Sequence, residues 1–193
     1  IEAVSIPVQL RAFGMDTNHA LRMYGVLTGM ALPLILFPTA VSNSIASMTL
    51  PAIAELQASR NHTAIKIFVS RLCLGSLLLG AMCSVVFLFG GSLAGIWLFH
   101  SSLAGKFITT LAWICPFLYT NSILTSIING LGKPFISFLY NSLHLIIRIL
   151  SIYIYIPQKG IYGYLIGLLF SQVLLFFLSL QFLYRYFQKG KTL

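Results

Sequence analysis

Five stretches of this chain are each apolar over roughly 20 residues, long enough to reach across a bilayer, and that length constrains the fold before any motif does. They lie at 24–54, 66–90, 107–128, 134–156 and 161–183. A hydrocarbon core offers no water to backbone N–H and C=O groups, so each stretch must satisfy them internally, as a helix. A soluble domain is excluded by composition. With 58% hydrophobic and 8% charged residues and a mean hydropathy of +0.92, the chain has too little polar surface to coat one. The expected fold is an all-α, polytopic membrane helix bundle with about five complete transmembrane helices and a partial one. Residues 1–13 supply the partial helix: too short to cross, without the basic n-region or cleavage site of a signal peptide. Together with the initial Ile, this predicts the C-terminal piece of a longer, transporter-sized protein. Residues 1–23 are then a truncated helix end with an outer loop, 24–183 the helical lobe, and 184–193 a basic tail. No internal repeat is evident.

The net charge of +9 arises from 12 Lys and Arg against Glu2, Asp16 and Glu55. In a membrane chain such an excess reports orientation and anionic lipid contact, and nucleic acid is not an expected partner. Alternating the loops places Arg60, Lys66, Arg71, Lys133, Arg185, Lys189 and Lys191 on one face. Arg11, Arg22, Lys106 and Lys159 fall on the other. The richer face is cytoplasmic by the positive-inside rule, which predicts a multi-pass protein of the cell membrane with a cytoplasmic C-terminus. Tyr153, Tyr155, Tyr162 and Tyr164 around the outer turn, and Tyr184 and Tyr186 at the inner end, fit interfacial belts. Residues 90–106 are expected to form an outer loop with Trp97 and Phe99 at headgroup level and His100 solvated.

The first expected span is unusual in carrying Pro33, Pro38 and Pro51 among many hydroxyl residues. Each proline removes a backbone bond, to the carbonyls of Gly29, Leu34 and Ser47, and freed groups are tolerated only against protein, water or nearby hydroxyls. Thr39, Asn43 and Ser47 recur at every fourth position, flanked by Ser42 and Ser44, so one side is small and hydrogen-bonding. Either a tight helix interface or a cavity lining explains such a stripe.

The fourth span carries the strongest constellation. Ser137, Asn141, His144, Arg148, Ser151 and Tyr155 fall within an arc of about 80° at 100° per residue. An arginine inside a span is costly, faces the bundle interior, and is a functional-site candidate by default. The bland alternative is that it snorkels to the outer headgroups. No acid is expected at its depth, so its partner should be a carboxylate in an absent lobe or the substrate itself. His144 reads equally well as a packing histidine. The substrate-binding candidates are Arg148, His144, Asn141, Ser137, Asn43, Thr39 and Ser47.

Elsewhere the signals are structural. Gly163, Gly167 and Ser171 form a small-residue ridge on the last span, which lets a neighbouring helix approach. Residues 129–134 (NGLGKP) lack the spacing and the preceding strand of a phosphate loop and read as an inner turn. Pro116 is expected to kink the third span, whose Thr120, Asn121, Thr125 and Asn129 add polar groups. Cys73, Cys83 and Cys115 sit in apolar runs without ligand spacing, which argues against disulfides or a metal site. Neither a hydrolase triad nor paired carboxylates can be assembled, so enzyme chemistry and cofactors are not expected.

The order of the pieces YGVLTGMALPLILFPTAVSNSIASMTLPAIAELQA, INGLGKPFISFLYNSLHLIIRI and GIYGYLIGLLFSQ resembles the polysaccharide-biosynthesis and stage V sporulation protein B group of transporters. That group belongs to the multidrug/oligosaccharidyl-lipid/polysaccharide exporter superfamily. The resemblance implies the C-terminal lobe of a two-lobed bundle of twelve to fourteen helices working by alternating access. It also implies a flippase moving lipid-linked oligosaccharide or peptidoglycan precursor outward for cell-wall, spore-cortex or polysaccharide assembly. Its expected partners are the lipid bilayer, an anionic lipid-linked sugar and the absent N-terminal lobe. A multidrug/cation antiporter of the same superfamily is one alternative, although it would need intramembrane carboxylates. A non-transporting membrane scaffold of a wall-synthesis complex is another.

Overall fold

The computed structural model describes residues 2–59 and 62–189, and all regular structure within them is helical. Helices α1 (Glu2–Ala12), α2 (Thr17–Val26), α3 (Leu32–Leu36), α4 (Thr39–Ala58) and α5 (His62–Trp97) are followed by α6 (Ser102–Leu111), α7 (Cys115–Gly130), α8 (Pro134–Lys159) and α9 (Ile161–Lys189). Five segments are long and apolar enough to cross a membrane: Thr17–Leu36, Thr63–Trp97, Ser102–Gly130, Pro134–Lys159 and Ile161–Gln188. Arg60 and residues 190–193 of the expected basic tail lie outside the described residues.

The boundaries differ from the sequence expectation where prolines and glycines act. Instead of one helix over 24–54, the chain makes a π-helical stretch, Leu27–Ala31, before Pro33 and breaks at Phe37 and Pro38. The wider π turn shifts hydrogen bonds by one residue, so Leu32 N–H reaches Leu27 O ahead of a proline that can donate nothing. At the break, the buried Tyr119 hydroxyl of α7 donates to Ile35 O at 2.8 Å. Hydroxyls along the segment also turn inward on carbonyls, including Thr28 on Tyr24, Ser44 on Ala40 and Thr49 on Ile45. These carbonyls are not the ones the prolines free at Gly29, Leu34 and Ser47, so these hydroxyls satisfy themselves within the segment.

The expected outer loop 90–106 is mostly helix, because α5 continues to Trp97 and α6 resumes at Ser102. Gly95 of α5 lies against the backbone of Gly105 in α6, so a side chain at Gly95 would collide, and one at Gly105 would press on Ser92 of α5. Glycines that suggest a loop in a soluble protein here permit two helices to cross closely. Trp97 is exposed, His100 adopts a positive φ of 48°, and Ser101 caps α6 by accepting from Ala104 N–H. Residues 112–114 form the 3-10 turn that joins α6 to α7 just before Pro116. The inner turn after α7 uses Gly132 at φ 72°, a conformation that favours glycine.

α7 is the central helix, with α4, α5 and α9 packed around it, while α8 packs on α9 and α1 on α8. The α8–α9 contact uses the small-residue ridge: Gly167 lies directly against the Ser151 side chain and Gly163 against the Tyr155 carbonyl. Two apolar clusters form the core. The first includes Ile6, Leu10, Phe107, Tyr119, Tyr164 and Leu168; the second includes Ile53, Ile65, Ile123, Leu124, Phe176 and Leu183. The polar residues Thr120, Asn121, Ser171 and Gln172, all buried, fall between them along α7 and α9.

Candidate functional site

α8 turns its polar arc toward protein. Ser137, His144 and Ser151 are buried, whereas Phe135, Phe138, Leu145, Ile146 and Ile154 on the rest of its surface are exposed. Two polar arrangements lie along this arc, one at Arg148 and one a turn closer to the inner end.

Arg148 does not extend to the outer turn. Its Nη2 donates to Glu2 Oε2 of α1 at 2.5 Å and to the Tyr164 hydroxyl of α9 at 3.0 Å, and the Tyr164 hydroxyl lies 3.5 Å from the same carboxylate oxygen. The side chains of Arg148 and Glu2 are 25% and 28% exposed, so the ion pair is neither fully buried nor in solvent. The guanidinium carbon also sits 6.0 Å from the Tyr164 ring centroid, within cation–π range. Arg148 Nε is buried without a partner. The expectation that no acid in this chain reaches the depth of Arg148 is therefore corrected. Phe13, at the far end of the α1 segment, contacts Gly160 in the outer turn, and α1 runs from there back down α8. At ~1.5 Å per residue, Glu2 lies ~16 Å below that turn and Arg148 ~18 Å below it, so the two meet. Ser5, one turn along α1, is 3.1 Å from the Tyr153 hydroxyl of α8 and makes a second polar tie.

The second arrangement is a groove of about 280 Å³ between α7, α8 and α9, lined by Asn121, Ser122, Thr125, Asn141, His144 and Gln172 with Leu118 and Leu175. Asn121 Nδ2 donates to the backbone carbonyl of Gln172 at 3.0 Å and to its side-chain oxygen at 2.7 Å. Asn141 Nδ2 donates to Ser137 O of its own helix at 2.8 Å. Asn121 Oδ1 and His144 Nε2 are buried with no hydrogen-bond partner.

Of the residues expected from sequence, Asn141 and His144 line the groove, and Ser137 supports Asn141 through its carbonyl. Asn43 of α4 accepts from Ser122 Oγ at 2.6 Å and so adjoins the groove from the far side of α7. Thr39 donates back across the break to Leu36 O of α3, while Ser47 donates to Ser44 O of its own helix and is exposed. The edge of α4 packed on α7 is instead Ser42, Ala46, Thr49 and Ile53, with Ser126 Oγ donating to Ala46 O. Glu2, Tyr164, Ser122 and Gln172 were not singled out by sequence as site residues. Gln172 carried a usable signal, as an amide inside the last apolar span; Glu2 carried none, because its partner is 146 positions away.

The three cysteines are free, and no cluster of three or more His, Cys, Asp or Glu able to hold a metal occurs among the described residues. Comparison with family models, with curated proteins and with solved structures found no match to this chain. Five helices long and apolar enough to cross a membrane, with an Arg148–Glu2 ion pair and an uncharged polar groove part-way along them, define the class: an all-helical chain of membrane-spanning helices with polar groups in its interior.

Proposed function

We propose that this chain is the C-terminal lobe of an exporter-type flippase that moves a lipid-linked oligosaccharide or peptidoglycan precursor outward by alternating access. The observation that carries the reading is Arg148, an arginine placed mid-span and held by groups on two other helices. A guanidinium at this depth costs several kcal/mol, and a packing helix has no need of it. Both of its hydrogen bonds leave from Nη2, so donors of the planar fork remain for a phosphate, whose geometry they match. An arriving diphosphate would displace Glu2 and loosen α1 from α8, which couples headgroup binding to movement of a helix. The chain acts as a transporter without catalytic chemistry, in the cell membrane, with its C-terminus in the cytoplasm.

The test uses the complete gene product in vesicles with a fluorescent lipid-linked sugar. Arg148→Ala is expected to slow flipping at least tenfold, and Arg148→Lys to restore it only in part because the bidentate contact is lost. The variant Glu2→Gln with Arg148→Gln, which removes both charges and strands neither, guards against misfolding as the cause. Normal flipping by this double variant would overturn the mechanism. Glu2 also favours a second reading, a cation or drug antiporter, because it provides an intramembrane carboxylate at Arg148. Under that reading Glu2→Gln alone abolishes cation-driven transport. A scaffold without a transport path would leave Asn141→Cys unlabelled by a soluble maleimide.

A further inference from the structure

The groove between α7, α8 and α9 is chemically distinct from the Arg148 site. None of its lining residues is Asp, Glu, Lys or Arg, and six of the eight bear hydrogen-bonding side chains. It opens at the one layer where the two apolar clusters part, between Tyr119 and Ile123 on α7 and between Leu168 and Phe176 on α9. Two of its lining residues carry a buried polar atom without a partner: Asn121 Oδ1, on a residue 5% exposed, and His144 Nε2, on a residue 7% exposed. Leaving such atoms unpaired costs about 1–3 kcal/mol each, so they mark places where a ligand group gains a full hydrogen bond.

The network narrows what that ligand group can be. Asn121 cannot be turned around, because its Nδ2 faces the Gln172 carbonyl, which only accepts. Its free atom is therefore an acceptor and calls for a donor. A hydroxyl supplies one, and since a hydroxyl both donates and accepts, a neighbouring hydroxyl satisfies His144 Nε2 in either tautomer. An ammonium or a phosphate could also hydrogen-bond here, but it would bring a charge into a groove whose lining holds no Asp, Glu, Lys or Arg to balance it. The volume, about 280 Å³, falls just below the ~300–1,000 Å³ of drug-sized sites and holds one ring-sized unit. Leu118 and Leu175 offer apolar faces to its C–H groups.

We propose that this groove is a binding site for an uncharged, polyhydroxylated headgroup, a single sugar ring, with Asn121 and His144 bonding adjacent hydroxyls and Asn141 and Ser122 closing the rim. It deepens the transport reading, and rests on it only for the lipid to which the sugar is attached. The sugar then occupies a subsite apart from the one that takes the phosphate.

The experiment measures binding without turnover. The protein in phosphatidylcholine nanodiscs is photolabelled with a dodecyl β-glucoside carrying a diazirine on its first chain carbons, and labelled peptides are mapped by mass spectrometry. Competition is run with dodecyl glucoside, dodecyl phosphate, dodecyltrimethylammonium and dodecanol. The expected result is labelling of residues 118–125 and 141–144 that glucoside alone suppresses, by tenfold or more, and that Asn141→Leu and His144→Phe reduce to a similar degree. Asn141 bonds only its own helix, so Asn141→Leu keeps the bundle intact and its result counts even if His144→Phe fails to fold. Equal suppression by all four competitors, or labelling unchanged in Asn141→Leu, would overturn the proposal. Sugar-selective labelling together with normal flipping by the charge-neutral double variant would leave the groove standing and the phosphate mechanism fallen; the converse pair would do the reverse.

Discussion

Glu2, Arg148 and Tyr164 join three helices through two nitrogen-to-oxygen bonds and one phenol contact. With roughly a quarter of each charged side chain exposed, the pair does not bear the full cost of deep burial. Removing one partner should nonetheless strand the other in a poorly solvated place, which is worse than removing both. Glu2→Gln and Arg148→Gln are each expected to lower the thermal midpoint in detergent, and their combination to lower it less than the sum. A double-mutant coupling of about 1 kcal/mol or more is expected for groups in direct contact. Strict additivity in that cycle would mean that the ion pair contributes nothing to holding α1 on α8.

At the level of helices, glycine and serine placement governs which elements touch. Gly167 lies so close to Ser151 that any Cβ there collides, and the neighbour has no exposed tip to swing away. Gly167→Leu should therefore destabilise the bundle by roughly 1–3 kcal/mol, the usual cost of overpacking. Ser151→Gly should restore part of that loss, as read from the monodisperse fraction after extraction. A Leu variant as stable as the parent would show that α8 and α9 separate more readily than drawn. This ridge was legible in the sequence because its four-residue spacing matches one helix face, and the polar arc of α8 was legible for the same reason. The outer loop was not. Gly90, Gly91, Gly95 and Gly105 carry the same local signal whether they make a turn or a close crossing, and only the partner helix decides. The first span misleads in a related way: hydropathy summed over a window does not register a break at Pro38, nor the buried Tyr119 hydroxyl that meets the Ile35 carbonyl beside it. The contacts that build both polar sites lie 51 and 146 positions apart, beyond any periodicity.

On the scale of the molecule, chain direction and charge make one joint prediction. α6 with α7, then α8, then α9 are three segments long and apolar enough to cross a membrane, lying between the turn at 98–101 and the end of α9, so three crossings are expected there. An odd number of crossings puts those two points on opposite sides, whatever the exact depth of each helix. The turn near 131–133 carries Lys133 and the end of α9 carries Arg185 and Lys189, while the short turn at Gly160 has only Lys159 beside it. Basic residues favour the cytoplasmic side by about the attraction of each charge to anionic lipid, on the order of 1 kcal/mol apiece near the surface. By this rule the expected orientation, set by Lys133, Arg185 and Lys189, has the turn at 131–133 and the C-terminus on the cytoplasmic side. A reporter fused after Leu193 is expected to be active only in its cytoplasmic form, and a cysteine placed at Ser101 to react with an impermeant maleimide added outside intact cells. Replacing Lys133, Arg185 and Lys189 by Gln should blur this orientation without changing the parity. Finding the two probes on the same side in the parent chain would require an even number of crossings, and so would break the assignment of α6 and α7 as a single span kinked at residues 112–114.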